Sequence, residues 1–349
     1  MEFRKHIIQE TDSVKNALIM LDKLAADAIL FAVDHEGVLT GSLTDGDIRR
    51  GLMAGSKIND SIHSVCYKTP KYINQKKIEL TKLIEYRKNN FNIIPIVDEN
   101  NIVVDVINFK KRKTILPVDV VIMAGGKGMR LRPLTEDLPK PLLKVGDKSI
   151  LEHSLLRYDA FGVKSINITT NYLSQKIEDF IEQKKNDYRT TIETVKESQF
   201  LGTIGAIKLV KNFSEDYILV SNSDLLTDID FEAFFLDFVK SDADMSVVSI
   251  PYHVDIPYAI MDIEDDYLKS FHEKPKYTYY SNGGIYLLKK ELLNLIPMNE
   301  AFSATDLMNA VISQRKKIKT FAHNGYWLDI GQHQDYKKAQ NDIKTLKLL

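Results

Sequence analysis

Apolar residues recur at helical spacing in "SVKNALIMLDK", where Val14, Ala17, Leu18 and Leu21 fall at i, i+3, i+4 and i+7. Leu80, Leu83 and Ile84 begin the same stripe further on. Behind each stripe comes a short apolar run, an Asp-containing turn, and a second run that passes into charged residues. The first copy is "AILFAVDHEGVLTGSLTDGDIRR" (Ala28 to Arg50) and the second "NIIPIVDENNIVVDVINFKKRK" (Asn92 to Lys113). With Asp34 laid over Asp98, the order helix, strand, turn, strand, helix is predicted twice. From about Pro117 the pattern changes. Near-continuous apolar runs ("VDVVIM", "SINIT", "YILVS", "MSVVSI", "GIYLL") alternate with amphipathic stretches such as "SILEHSLLRYDAFG", where Leu151, Leu155 and Tyr158 share a face and Gly162 marks the stop. Strands apolar on both faces and separated by helices predict an α/β domain on a largely parallel sheet.

Composition narrows the function. The chain has 349 residues, room for two or three domains. Its 47 Lys plus Arg nearly cancel 48 Asp plus Glu, so the net charge gives no reason to expect nucleic acid or an acidic membrane surface as partner. A single cysteine, Cys66, excludes an intrachain disulfide and fits a reducing compartment, and eight scattered histidines form no zinc spacing. The N-terminus shows no secretory h-region, and no apolar run approaches the length of a membrane span. A cytoplasmic protein is the expectation.

The densest chemistry is "MAGGKGMRLRPLT", Met123 to Thr135, directly after an apolar strand. It is not a Walker A loop, since Arg130 stands where the second glycine belongs and no Lys-Ser/Thr follows. Nor is it the dinucleotide fingerprint, whose third glycine would be Leu131. What remains is a glycine turn whose backbone N–H groups can surround phosphate oxygens, with the Arg130 fork matched to phosphate geometry. In a sheet of this kind such a turn sits where ligands bind, at the carboxyl ends of the strands. Lys140 follows in "PKPLLKVG", Gly202 in "LGTIGA", and Asp224 after a buried-looking strand in "SNSDLLTD". Glu273 and Lys274 lie in "FHEKP", Asn282, Gly283 and Gly284 in "SNGGIYLL", and Asp329 in "GYWLDIGQHQDY".

In this order the motifs resemble those of the sugar-1-phosphate nucleotidyltransferases, from Val118 to about Tyr336. Met129 departs from the pattern, standing where the family usually has Thr. The resemblance implies a Rossmann-like (GT-A-like) domain over 117–349. It also implies transfer of a nucleotidyl group from a nucleoside triphosphate to a sugar 1-phosphate with loss of pyrophosphate, assisted by Mg2+. Arg130, Lys140 and Asp224 would then be catalytic, and Ala124, Gly125, Gly126, Gly128 and Gly202 would line the nucleotide. Glu273, Lys274, Asn282, Gly283 and Gly284 would meet the sugar phosphate, with Asp224 and Asp329 holding the metal.

Residues 1–115 resemble a tandem CBS pair (a Bateman domain of α+β type), about 1–58 and 59–115. In "GSLTDGDIRRGL" the family pattern places Thr44 and Asp47 on an adenine nucleotide, whereas the second copy has Asn108 and Lys111 there. Asp47 is equally suited to cap the following helix. A CBS pair ahead of a nucleotidyltransferase is similar to the bacterial glucosamine-1-phosphate guanylyltransferases of legionaminic acid synthesis. GTP and glucosamine 1-phosphate are therefore the expected substrates, and a homo-oligomer the expected state. The alternatives left open are mannose 1-phosphate with GTP, thymidylyl or cytidylyl transfer to glucose 1-phosphate, and a nucleotide sensor with an inactive transferase domain.

Overall fold

The computed structural model describes residues 2–76 and 78–348. These form two compact units, divided between Ile115 and Leu116.

In the first unit β1 (Ile7–Gln9), α1 (Val14–Leu24), β2 (Leu30–Val33), β3 (Leu39–Leu43) and α2 (Asp45–Met53) precede β4 (Ile73–Asn74), α3 (Leu80–Lys88), β5 (Ile93–Val97) and β6 (Val103–Asn108). Each half builds a three-stranded sheet, β1-β2-β3 and β4-β5-β6, with its first pair parallel and its second antiparallel. The Asp turns repeat atom for atom. Asp34 Oδ1 accepts from the N–H groups of Glu36 and Val38, and Asp98 Oδ1 from those of Asn100 and Ile102, all at 2.9 Å. The two hairpin tips also bond to each other, Leu39 N–H to Asn101 O and Val103 N–H to Gly37 O. Val14, Ala17, Leu21, Leu30, Ile48 and Cys66 share the core of the first half.

The repeat is incomplete in one respect. No helix follows β6: after Asn108 the chain makes a single turn, closed by Lys110 N–H on Asn108 Oδ1, and then runs on as an extended segment. On a helix begun there Lys110 and Lys113 would repel at i, i+3, and Pro117 limits how far it could run.

The second unit is built on a seven-stranded sheet. Along the chain come β7 (Asp119–Ala124), the short pair β8 (Lys144–Val145) and β9 (Lys148–Ser149), α4 (Ile150–Ala160), β10 (Ser165–Thr170), α5 (Ser174–Lys184), β11 (Thr191–Lys196), β12 (Tyr217–Asn222), β13 (Leu225–Thr227) and α6 (Phe231–Val239). Then follow β14 (Met245–Asp255), β15 (Ile260–Glu264), β16 (Tyr267–His272), β17 (Lys276–Lys289), α7 (Ala304–Ser313), β18 (Ile318–Ala322), β19 (Trp327–Asp329) and α8 (His333–Asp342). The sheet order is β11-β10-β7-β12-β17-β14-β18. All neighbours are parallel except at β17, which opposes both β12 and β14. Val120, Val121 and Ile122 of β7 are fully buried, as a central strand covered on both faces requires. The buried Asp119 carboxylate at its start is satisfied by Ser214 Oγ and Glu215 N–H.

Strand order reverses between β7 and β12: the chain steps outward through β10 and β11, then returns to the other side of β7. A crevice opens at such a switch point. Beyond Ser249 and Asn282, β14 and β17 continue as a ladder to the Asp255–Lys276 pair, and β15 and β16 form a hairpin between them. This arm is exposed, with Tyr252, Tyr267, Phe271 and Tyr280 all open to solvent.

Candidate active site

The switch point is occupied by the glycine turn. β7 and its two neighbours end together, Thr170 opposite Ala124 and Asn222 opposite Met123, so the turn after β7 and the segment 222–224 after β12 leave the sheet side by side. The three glycines serve different ends. Gly128 is left-handed (φ 61°), and a Cβ on it would stand 3.1 Å from Thr135 Cγ2 and 3.2 Å from Lys140 Cβ. A Cβ on Gly125 would meet Glu197 Oε1 at 2.4 Å, whereas one on Gly126 would have no neighbour within 4 Å. The loop is therefore packed at both ends and open in the middle, where a ligand can approach its backbone.

Arg130 lies in a single 3-10 turn, Met129–Leu131, anchored by the buried Leu131. Lys140 begins another, Lys140–Leu142, between Pro139 and the buried Pro141. Asp224 and Asp329 meet through the antiparallel β13–β19 pair, in which Leu225 faces Asp329 and Ile330 N–H donates to Asp224 O at 3.0 Å. Lys140 Nζ donates to Asp224 Oδ2 at 2.5 Å and lies 3.8 Å from Asp329 Oδ1. A Cβ on Gly331 would touch both the Arg130 guanidinium (3.5 Å) and Asp329 Oδ1 (3.6 Å), which brings Arg130 into the same cluster. Burial, and then the neighbouring Asp224 charge, push the Asp329 carboxyl above its ordinary pKa, against the opposing pull of Lys140 and Arg130. One oxygen of each carboxylate, Asp224 Oδ1 and Asp329 Oδ1, is buried without a hydrogen-bond partner.

Gly125, Gly126, Gly128, Arg130, Lys140 and Asp224 line one cavity of about 270 Å³. Gly202 is there too, but its conformation has a further cause. At φ 80° its Cα faces the Phe302 peptide, whose carbonyl oxygen would be 2.5 Å from a Cβ. Met129, Phe200 and Glu197 are among the lining residues that carry no assignment from the sequence reading. Glu197 Oε2 accepts from Leu201 N–H at 3.0 Å. Burial pushes the Glu197 carboxyl up, while the Leu201 N–H and the Thr169 hydroxyl hold it down. The signal available for it was an acid four residues ahead of the "LGT" turn.

The other expected residues stand elsewhere. Glu273 and Lys274 are exposed and do not line the cavity. β17 carries them away, since Lys276 lies eight residues before Gly284, roughly 25 Å along an extended strand. Asn282 is engaged within the sheet: its Nδ2 donates to the Tyr286 hydroxyl and its Oδ1 accepts from Gly284 N–H. Gly283 O accepts from Trp327 Nε1, and Gly284 (φ 69°) packs against the Asn222 amide at the cavity edge. In the first unit Thr44 and Asp47 form a capping box at the start of α2. Asp47 Oδ2 accepts from Thr44 N–H and hydroxyl (2.8 and 2.6 Å), and Arg50 binds the other oxygen. The helix-cap role is the one the geometry shows for Asp47.

A sequence profile described as Nucleotidyl transferase matches residues 119–345. The chain belongs to this nucleotidyl transferase family. The match covers the strand–turn motifs and both Asp224 and Asp329, and residues 1–115 lie outside it. Among related nucleotidyl transferases, the mannose-1-phosphate guanyltransferase of Debaryomyces hansenii is 30% identical over 226 residues, 62% of each chain. The chain thus spans less than two thirds of that relative's length. The D-glycero-alpha-D-manno-heptose 1-phosphate guanylyltransferase of Aneurinibacillus thermoaerophilus is 27% identical over 65% of this chain and 99% of its own. The crystal structure of HddC from Yersinia pseudotuberculosis superposes with a TM-score of 0.51 at 29% identity, covering 65% of this chain and 99% of that one. No helix among the described residues is long and apolar enough to cross a membrane.

Proposed function

We propose that the chain transfers a guanylyl group from GTP to glucosamine 1-phosphate. The observation that carries the transferase reading is the convergence of Arg130, Lys140, Asp224 and Asp329 on an open glycine turn at the sheet's switch point. In the reaction an oxygen of the sugar phosphate attacks the α-phosphorus, the bond to the β-phosphate breaks, and pyrophosphate leaves. Two polyanions must be brought in line, so the chain's task is alignment and charge neutralisation. Arg130 holds the β- and γ-phosphates and then the leaving pyrophosphate. Lys140 neutralises charge at the α-phosphate, while the backbone of Ala124 to Gly128 surrounds the nucleotide's oxygens. Glu273 and Lys274, out on the arm, have no part in this reading.

The carboxylate pair fits Mg2+. A hard dication takes oxygen ligands, usually one or two carboxylates together with substrate phosphates, and Asp224 and Asp329 each present a buried oxygen without a hydrogen-bond partner. When bound, the ion would supply Lewis-acid neutralisation of the α-phosphate.

The names of the related guanylyltransferases support GTP. Glucosamine 1-phosphate is supported by the resemblance of residues 1–115 to a CBS pair, an arrangement similar to that of the glucosamine-1-phosphate enzymes. The relatives named for mannose 1-phosphate favour that sugar as a second reading. Pyrophosphate release across four nucleoside triphosphates and several sugar 1-phosphates decides: turnover is expected with GTP and glucosamine 1-phosphate, and no turnover with any pair overturns the reading. The CBS-like unit is proposed to dimerise the chain and to tune its rate through an adenine nucleotide. That ligand must compete with Arg50 for Asp47, and an unchanged rate with AMP, ADP and ATP leaves the unit as a scaffold.

A further inference from the structure

Lys140 is held in an unusual place for a residue whose proposed work is on a phosphate. Its ammonium sits on Asp224 at 2.5 Å and beside Asp329 at 3.8 Å, with only 11% of the side chain exposed. It is the cation that the two carboxylates share. A dication held by Asp224 and Asp329 would take the carboxylates that this ammonium already neutralises. In this half-buried cluster the two cations repel each other, and the carboxylates they would share offset that repulsion only in part. The ammonium and a dication therefore compete for the same carboxylates.

We infer that Lys140 is a placeholder cation: it neutralises Asp224 and Asp329 in the empty site, blocks free metal from them, and gives them up when a triphosphate draws its ammonium away. The inference rests on the metal role proposed above for these carboxylates. Three observations argue it together. Asp224 Oδ1 and Asp329 Oδ1 are buried without a hydrogen-bond partner, so the pair is only partly neutralised by the lysine and retains capacity for a stronger cation. Lys140 starts a short 3-10 turn packed against Gly128, so the residue that must move is attached to the glycine turn that meets the phosphates. Arg130 lies close to Asp329 in the same cluster, so the arriving phosphates meet two cations and release one carboxylate partner. Metal and triphosphate would then each favour the other's binding, by the same factor in both directions.

The test is the affinity of the nucleotide-free full chain for Mn2+ alone, read by electron paramagnetic resonance of the free ion. Lys140→Met and Lys140→Gln are expected to bind Mn2+ at least tenfold more tightly than the wild type, and the gain is expected to vanish in Lys140→Met/Asp224→Asn. Equal or weaker binding in the Lys140 variants, with binding still lost in Asp224→Asn, overturns the placeholder role and leaves the carboxylates as ligands. Mn2+ binding indifferent to Asp224→Asn overturns the ligand assignment and the placeholder with it. Thermal unfolding covers variants weakened by an unpaired Asp224. A Lys140 variant whose melting temperature rises more with Mn2+ than the wild type's supports the inference, and one that Mn2+ fails to stabilise counts against it.

Discussion

Arg130 and Asp224 face the same cavity with opposite duties, and their losses should differ in kind. Arg130→Ala removes the charged fork proposed to hold the triphosphate, so kcat/KM for pyrophosphate release is expected to fall by about 10²–10³-fold. Asp224→Asn is nearly isosteric and should leave far-UV circular dichroism unchanged while reducing turnover to near background at saturating Mg2+. The two open and closed glycines form a second contrast. Gly126→Ala, with no neighbour within 4 Å, should melt within about 1 °C of the wild type yet weaken nucleotide binding. At this scale the sequence exposed residues that announce themselves by type and motif, as Arg130, Lys140 and Asp224 do. It concealed Glu197, an acid in a stretch of ordinary polarity, because only the fold presses its carboxylate against Gly125. For Glu273 and Lys274 it gave type but not place, since a motif carries no information on how far a strand runs before it turns.

Whole strands and helices were legible where burial set the pattern. β7, β10 and β12 read as continuous apolar runs because both faces are covered, and α1 showed its stripe because only one face is. β1 and β4 went unseen, being three and two residues long and held by parallel neighbours rather than by their own periodicity. The turn after β11 shows what such elements depend on. Gly202→Ala places a Cβ 2.5 Å from Phe302 O at a φ unfavourable to alanine, which should cost more than about 2 kcal/mol and lower the melting temperature by roughly 4–8 °C. A pH effect belongs to the joint between β14, β17 and β18. Burial alone would raise the Asp244 carboxyl, but the Lys317 N–H and the Lys289 and Lys316 ammoniums outweigh it, and the pKa is lowered. A lowered carboxyl contributes stability above its unfolded pKa and loses it as pH falls further. The difference in urea midpoint between wild type and Asp244→Asn should therefore be constant above about pH 5 and shrink below about pH 4.

For the molecule as a whole, the decisive fact is that each unit has its own core. Residues 116–349 expressed alone are expected to unfold in one cooperative transition and to retain pyrophosphate release, and aggregation of that fragment with no turnover would show the first unit to be essential. The same division bears on how the protein can be watched. Its single thiol, Cys66, is packed among Ile62, Leu43 and Ile48 in the first unit and is only 8% exposed. The native chain is accordingly almost blank to thiol reagents, and one engineered cysteine becomes a unique address. Placed at position 126, where the loop leaves open space, it should be alkylated readily in the empty protein and shielded once a triphosphate settles over the turn. The rate of a labelling reaction would then report site occupancy directly, without reference to turnover.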